Sequence, residues 1–311
     1  CPRRIGVSVA TNGTSKASAE RVPIKILNCL HRSHIGGAQR RIIWVARELP
    51  ADEFVTVVCF PQDTETEYEA MLRAAQMPFV RLPFRYLRGL SKIGNNLLFL
   101  LGLPLAIRAF QRVMKHEGIA VVHANGVTNL QPVLAALLAG RPVVWHFNDM
   151  LTPRPLVRLL SPLMRLARVR VVVATSAIIE HYHLTGLSHW QQFPATYAPR
   201  LPGRSSRDIR ASLGLPDDAR ILGFVGNLLH LKGPQDYLRV LETLGAEDPR
   251  IHGILVGAEI ESQRSFVESF RASVARSPMR DRLHLVGFQA DVPAWLASFE
   301  VLIFPSHSEA C

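Results

Sequence analysis

The sequence has few cysteines and no export signal. Its four cysteines are Cys1, Cys29, Cys59 and Cys311, and no pair has the spacing of a metal site. Residues 1–22 are polar and rich in serine and alanine, without the apolar core of a secretory signal, so they are predicted to form a disordered leader. These absences favour reduced core thiols in a cytoplasmic protein.

Two cofactor signatures are also missing. No Gly-x-Gly-x-x-Gly follows a predicted strand, which argues against a dinucleotide-dependent dehydrogenase. No Asp-x-Asp is present to hold a divalent metal. We therefore predict no metal and no bound cofactor.

What the chain does contain is a regular alternation of apolar strands and helices. Its 311 residues and 48% apolar content suit two domains with real cores. The alternation predicts an α/β fold with doubly wound parallel sheets. It is broken at 194–206 by prolines, a glycine and serines, which is the composition of a linker. We predict Rossmann-like domains over 23–198 and 199–311.

Basic residues are concentrated in one segment. The net charge is +11, and residues 81–115 carry seven basic side chains and no acidic one. The apolar run Leu97–Ile107 within it is too short to span a bilayer, and Pro104 interrupts it. Arg108, Arg112 and Lys115 follow at helical spacing, which suits an anionic membrane surface. The alternative is a helix packed on its own sheet with a basic outer face. Nucleic acid is not predicted, because few aromatics accompany these charges.

The second half opens with a strand that ends in glycine and leads to a Lys-Gly pair at a helix start. Gly226 and Asn227 follow the strand 221–225, and Lys232 and Gly233 precede the next helix. A diphosphate is bound by backbone N–H groups at a helix N-terminus, close approach at glycine and a cation, and this segment offers all three. The alternative is an ordinary strand–helix turn with a surface lysine.

Further glycines, histidines and an aspartate stand at predicted strand ends, where open α/β sheets bind ligands. In the first half these are Gly36, Gly37, His123, His146 and Asp149. In the second half they are Gly257, Gly287 and the neighbouring Phe288. The alternatives are structural histidines, a helix cap at Asp149 and core packing of Phe288.

The end of the sequence gives a resemblance. Residues 301–304 are predicted to form a buried strand, followed by Pro305-Ser306 and Glu309. This pattern resembles the start of the Glu-x7-Glu motif of retaining GT-B glycosyltransferases. The phosphate loop resembles the same family's Gly-Arg-Leu…Lys-Gly element, with Asn227 in place of arginine. The resemblance covers nearly the whole chain, and only the first glutamate of the motif is present.

The resemblance implies roles for the residues singled out above. Glu309 would contact the donor sugar, and His146 would lie near the anomeric centre or the acceptor. Lys232, with Gly226, Asn227 and Gly233, would hold the donor diphosphate. The nucleobase side would be formed by Gly257, Gly287 and Phe288, and the cleft of the first domain by Gly36, Gly37, His123 and Asp149. Families of this fold generally need no metal.

The expected function is transfer of a hexose, with retention, from a nucleoside-diphosphate sugar to a lipid-linked or polysaccharide acceptor. The alternative is a nucleotide-sugar-binding scaffold without turnover, which Asn227 and the missing second glutamate favour. We expect a cytoplasmic protein, peripheral on the inner face of the membrane. We also expect that the chain is cut short inside its second domain, and that such a fragment is unstable or inactive.

Overall fold

The chain folds into two compact units. The computed structural model describes residues 22–31, 36–62, 66–87, 93–193, 206–289 and 291–307. The first unit holds the described residues up to Asn148 together with 152–173 and 184–193, and the second holds 149–151, 174–183 and the described residues from 206 onward. Nearly all of the predicted leader and linker, together with Glu309, lies outside the described residues. The domain boundaries at 23–198 and 199–311 stay a prediction.

The first unit is built on a seven-stranded parallel sheet of order β3-β2-β1-β4-β5-β6-β7. Its strands are β1 (Ile24–Cys29), β2 (Phe54–Pro61), β3 (Phe79–Leu82), β4 (Val121–Asn125), β5 (Val143–Phe147), β6 (Val169–Val173) and β7 (Trp190–Gln192). In the central strand β1, Leu27 pairs in register with Val57 on one side and Val122 on the other. Such strands are apolar almost throughout because helices cover both faces of a parallel sheet.

Five helices lie in the described part of this unit. They are α1 (Gly37–Glu48), α2 (Thr66–Ala74), α3 (Ile93–His116), α4 (Leu130–Leu138) and α5 (Arg154–Met164). The helix α3 continues through Pro104, so the predicted interruption there is wrong. Within the described part of the chain, α3 alone is long and apolar enough to cross a membrane by length and composition. It also packs one face on the unit, since Phe99, Phe110 and Met114 are buried.

The second unit contains a four-stranded parallel sheet of order β10-β9-β8-β11. Its strands are β8 (Arg220–Val225), β9 (Ile251–Val256), β10 (Leu283–Gly287) and β11 (Val301–Leu302). Its helices are α6 (Ala177–His181), α7 (Ser206–Ser212), α8 (Pro234–Glu247), α9 (Arg264–Arg276) and α10 (Val292–Ser298), with short 3-10 turns at His230–Lys232 and Glu261–Gln263. The core beneath the sheet includes Phe224, Tyr237 and Phe270.

One strand differs from its predicted burial. The apolar residues 301–304 were predicted to lie inside the sheet, but Val301 is 51% exposed and Phe304 is 52% exposed. The reason is position, because β11 pairs with β8 at the edge of the four-stranded sheet as described. The apolar sequence therefore predicts the strand correctly but predicts its burial wrongly.

The two described cysteines agree with the prediction of reduced core thiols. Cys29 and Cys59 are buried and free, and they are register partners on β1 and β2. Burial raises the pKa of the Cys29 thiol, with the neighbouring Cys59 as a further cause. The Cys29 thiol is therefore held in the neutral form, and both cysteines pack as small core residues.

Candidate functional site

The predicted phosphate loop of the second unit lies between β8 and α8. The Gly226 N–H donates to the Val256 carbonyl across 2.9 Å, so the loop starts in line with the sheet. A 3-10 turn ends at Lys232, and Gly233 then caps α8 with φ of 69°, in the left-handed region that favours glycine. The chain thus turns sharply from a strand end onto a helix N-terminus.

Two neighbouring loops approach each other closely at glycines. A Cβ on Gly257 would collide with the Gly226 carbonyl oxygen. Beside this contact, the Asn227 Oδ1 accepts a hydrogen bond of 3.1 Å from the Ala258 N–H. Asn227 therefore braces the loop after β8 against the loop after β9, a role that its position in the motif did not predict.

The Lys232 side chain runs along this loop. A Cβ built on Gly226 would lie 3.6 Å from its Cγ, and its Nζ lies 5.8 Å from the centroid of the Phe304 ring. An ammonium group over an aromatic face is stabilised by the ring quadrupole. The structure therefore brings together Lys232, Gly226, Asn227 and Gly233, as the sequence predicted for a diphosphate site.

The segment after β11 is attached to the same turn. A Cβ on Gly233 would collide with the Pro305 carbonyl, and the His307 N–H donates to the Leu231 carbonyl across 2.9 Å. The His307 Nε2 lies 2.6 Å from the Asp236 carboxylate, and this hydrogen bond is the main reason why the pKa of Asp236 is lowered. The chain leading towards Glu309 is therefore fixed to the N-terminus of α8 as far as His307.

The three residues predicted on the nucleobase side follow β9 and β10. The Gly257 N–H donates to the Gly287 carbonyl across 2.9 Å, and Gly287 has φ of 68°. Phe288 is 59% exposed, so its predicted alternative as a core residue is wrong.

In the first unit, His123 and His146 meet at the carboxyl edge of the sheet. They stand on the neighbouring strands β4 and β5, with His123 Nε2 and His146 Nδ1 3.3 Å apart and the two rings nearly parallel. Burial, and then the Arg41 guanidinium, lowers the pKa of His123 to about 3. The same causes, with His123 as a third, lower the pKa of His146 to about 2. Both imidazoles are therefore neutral at physiological pH.

Two residues that the sequence analysis did not select complete this cluster. Arg41, on α1, reaches Asn148 Oδ1 at 2.8 Å, Asn125 Oδ1 at 2.9 Å and His146 Nε2 at 3.4 Å. Asn28, on β1, lies 3.3 Å from His123 Nδ1 and accepts from the Asn125 amide at 2.6 Å. A polar residue within the apolar strand 24–29 is the sequence signal that could have identified Asn28.

The remaining residues predicted in the first-domain cleft are Gly36, Gly37 and Asp149, and within the described part of the chain none of them hydrogen-bonds to either histidine of the cluster. Gly36 is the N-cap of α1, and a Cβ on Gly37 would meet nothing within 4 Å. Asp149 belongs to the second unit, where its Oδ1 accepts from the Leu151 N–H at 3.0 Å. Helix α5 is capped at Pro153, so the alternative role of Asp149 as a helix cap is wrong.

Comparisons with known proteins agree with this architecture. The family described as "Glycosyl transferase 4-like domain" matches residues 36–183, and the family "Glycosyl transferases group 1" matches residues 205–311. The two families match successive parts of the chain. The chain belongs to the GT-B glycosyltransferases, which confirms the resemblance at this level and the predicted fold class, while retention of configuration stays a prediction.

Curated relatives and solved structures give the same class. The D-inositol 3-phosphate glycosyltransferase of Streptomyces coelicolor is 27% identical over 213 residues, covering 57% of this chain and 46% of that protein. The chain thus spans about half the length of this relative. The Anabaena protein HepE in complex with UDP has a TM-score of 0.72 and 20% identity, with 92% of this chain and 74% of HepE covered. The glycosyltransferase WaaG, involved in lipopolysaccharide biosynthesis, has a TM-score of 0.61 and 18% identity over 92% and 76%. These structures show the fold.

Proposed function

We propose that this protein transfers a hexose from a nucleoside-diphosphate sugar to a hydroxyl group on a lipid-linked or polysaccharide acceptor, with retention. The observation that carries the proposal is the loop between β8 and α8. There a close glycine, a helix N-terminus and the Lys232 ammonium occur together, as binding of a diphosphate requires. Solved structures of HepE contain UDP and UDP-glucose, which supports a uridine nucleotide as the first donor to test.

Catalysis in this proposal is electrostatic. Lys232 and the N–H groups at the start of α8 neutralise the charge that develops on the leaving diphosphate. Glu309 orients the sugar, and His146 acts at the reacting centre. Both roles, the retention of configuration and the independence from metal rest on the family resemblance. No group of three or more metal-ligating side chains occurs among the described residues.

A nucleotide-sugar-binding scaffold without turnover is the second candidate. The observation that favours it is Asn227, where the family motif has an arginine. The Asn227 side chain accepts from the Ala258 N–H and carries no charge. Lys232 is then the one lysine or arginine in the described loop 226–233.

Calorimetric titration of UDP, GDP and ADP tests the donor site. We expect one nucleotide to bind and Lys232→Ala to weaken it by about ten-fold to 100-fold, the value of one charge-assisted contact. Lys25→Ala, which removes a lysine from the first unit, is the control. If no nucleotide binds to the wild type, the donor site is refuted. The matching nucleotide sugar is then incubated with the protein and an extract of lipid-phosphate acceptors. If the nucleotide binds but no sugar is transferred, the scaffold is favoured.

We also propose that the outer face of α3 rests on an anionic membrane, as a cytoplasmic peripheral protein would. Leu97, Leu101 and Leu105 are 54%, 68% and 66% exposed. The same stripe continues with three exposed basic residues, Arg108, Arg112 and Lys115, because all six positions recur every three or four residues. The apolar half suits the acyl boundary and the basic half suits anionic headgroups.

Arg81, at the start of the predicted basic segment, contributes less to this face. Arg81 donates to the Gln62 carbonyl at 2.6 Å and pairs with Glu69 at 3.3 Å, so it is held on the unit itself. Residues 88–92 lie outside the described part of the chain. Among the described residues, the proposed membrane face is assigned to α3.

Sedimentation with lipid vesicles tests the membrane face. We expect binding to phosphatidylserine-containing vesicles and little binding to neutral ones, since each basic residue near an anionic surface contributes about 1 kcal/mol. The double variant Arg108→Gln with Arg112→Gln should lose most of this difference, and Leu101→Ser should weaken binding to both. Leu244→Ser, at an exposed leucine of the second unit, is the control. Equal binding of wild type and the double variant would contradict the proposal.

A further inference from the structure

The histidine cluster of the first unit contains a chain of hydrogen bonds with two fixed ends. At one end, Asn125 must point its amide nitrogen at the Cys29 carbonyl, 3.2 Å away, because its oxygen accepts from Arg41. That amide nitrogen also donates to Asn28 Oδ1, so the Asn28 nitrogen faces His123. These orientations are assigned from the network, and reversing either amide would set donor against donor or acceptor against acceptor.

The chain then runs from Asn28 through His123 and His146 to Arg41. Its three contacts measure 3.3 Å, 3.3 Å and 3.4 Å between nitrogen atoms. Each contact has room for one hydrogen. Asn28 supplies a hydrogen at one end and Arg41 at the other, and each neutral imidazole supplies one more. Four hydrogens therefore face three contacts, and one contact must set two donors against each other.

The excess hydrogen is relieved if an acceptor atom enters the chain. Asn28 then donates to His123 Nδ1, His123 Nε2–H donates to His146 Nδ1, and His146 Nε2–H is left as a donor next to the Arg41 guanidinium. The contact between Arg41 and His146 is the end of the chain farthest from β1. An oxygen placed there accepts from both groups, and every member of the chain is satisfied.

We infer that Arg41 and His146 together bind an oxygen atom of an anionic phosphate group, and that Asn28, Asn125 and His123 are positioning residues that keep the His146 proton on Nε2. A phosphate oxygen fits because guanidinium binds it in a charge-assisted way, and a neutral imidazole adds a directed donor. His146 in this arrangement donates a hydrogen bond and does not act as a base. The inference deepens the proposed function, since the phosphate would be carried by the nucleotide or by the acceptor.

Histidine-selective 15N NMR of the full chain tests it, because long-range proton–nitrogen spectra show which ring nitrogen carries the proton. Inorganic phosphate, glycerol 3-phosphate and UDP are added separately, with His123→Gln and His146→Gln used for assignment. We expect at least one probe to shift His146, and both imidazoles to carry their proton on Nε2 in the bound protein. A shift that survives Lys232→Ala identifies an acceptor phosphate, and one given only by UDP and lost in Lys232→Ala identifies the donor diphosphate.

The matched variants are Arg41→Gln, Arg41→Lys and Arg47→Gln. Arg47 is exposed in the last turn of the same helix, so its variant removes the same charge away from the cluster. We expect Arg41→Gln to weaken the effective probe by about ten-fold or more, and Arg41→Lys, which keeps the charge, to weaken it less. Arg47→Gln should change it less than about two-fold.

Three results would overturn the inference. They are a His146 signal that no probe moves, a bound protein with the His146 proton on Nδ1, or Arg41→Gln and Arg41→Lys that fold and bind like the wild type. Failure here is separable from failure of the proposed function. UDP binding by calorimetry with a silent His146 refutes only this inference, whereas a responsive His146 without nucleotide binding refutes only the donor site.

Discussion

The buried histidine pair should make the protein sensitive to mild acid. His123 and His146 have pKa values lowered to about 3 and about 2, while histidine in the unfolded chain titrates near 6.5. Between these values the unfolded chain binds up to two more protons than the folded one. Stability therefore falls as pH falls through this window, by about 1.4 kcal/mol per pH unit for each histidine.

The expected loss can be worked out for two buffers. From about pH 7.5 to about pH 5, each histidine should lower the free energy of unfolding by about 2 kcal/mol, and the pair by about 4 kcal/mol. Urea unfolding of the wild type and of the His123→Gln/His146→Gln double variant at both pH values measures the difference. The double variant should lack this part of the acid dependence, about 4 kcal/mol, because the other titrating groups, His252 and His284 among them, contribute equally to both proteins.

A direct titration provides the second readout. The ring proton signals of both histidines should stay at their neutral positions between about pH 7.5 and about pH 5 in the folded protein. Equal acid dependence in wild type and double variant, or a titration midpoint near 6.5 for either ring, would refute the reasoning. The second outcome would mean that Arg41 and burial do not exclude the charged form.

Two further substitutions test the second unit. Gly257→Ala sets a Cβ against the Gly226 carbonyl, so we expect a loss of about 1–3 kcal/mol in unfolding free energy and weaker UDP binding by calorimetry, with Gly186→Ala, which has open space, as the control. Tyr237→Phe removes the 2.7 Å hydrogen bond to the buried Leu222 carbonyl, which should cost about 1 kcal/mol in urea unfolding and leave UDP affinity unchanged. An unchanged unfolding midpoint in either variant would count against the packing described.

Much of the fold follows from sequence periodicity, and the exceptions have local causes. The strand predicted at 221–225 is found within a residue of its predicted bounds, as Arg220–Val225, because an apolar run dominates there. The strand Trp190–Gln192 was not predicted, since three mostly polar residues carry no strand pattern. Helix α3 passes through Pro104, whose missing N–H costs one hydrogen bond in a helix otherwise held by packing.

In the candidate site, too, some residues were predictable from the sequence and others were not. Residues at strand ends were predictable, because parallel strands bring their carboxyl ends to one edge, and His123 and His146 do meet there. Arg41 was not, since it lies inside an amphipathic helix where an arginine is ordinarily solvent-facing. Its role depends on a neighbour 84 positions away in the chain, Asn125, which no local pattern could indicate.

Asn227 replaces the arginine of the family motif, and its contacts give this replacement a second interpretation. As a missing arginine it weakens the case for catalysis, because a charge is absent from the phosphate loop. As a side chain that accepts a hydrogen bond from the Ala258 N–H, it holds together two loops that lie so close that a Cβ on Gly257 would collide with the Gly226 carbonyl. The position therefore has a structural use that an arginine, which has no acceptor, could not supply. That use explains why asparagine stands here, and it leaves Lys232 as the one lysine or arginine of the loop 226–233. The effect of Lys232→Ala on nucleotide binding consequently decides whether the loop binds phosphate.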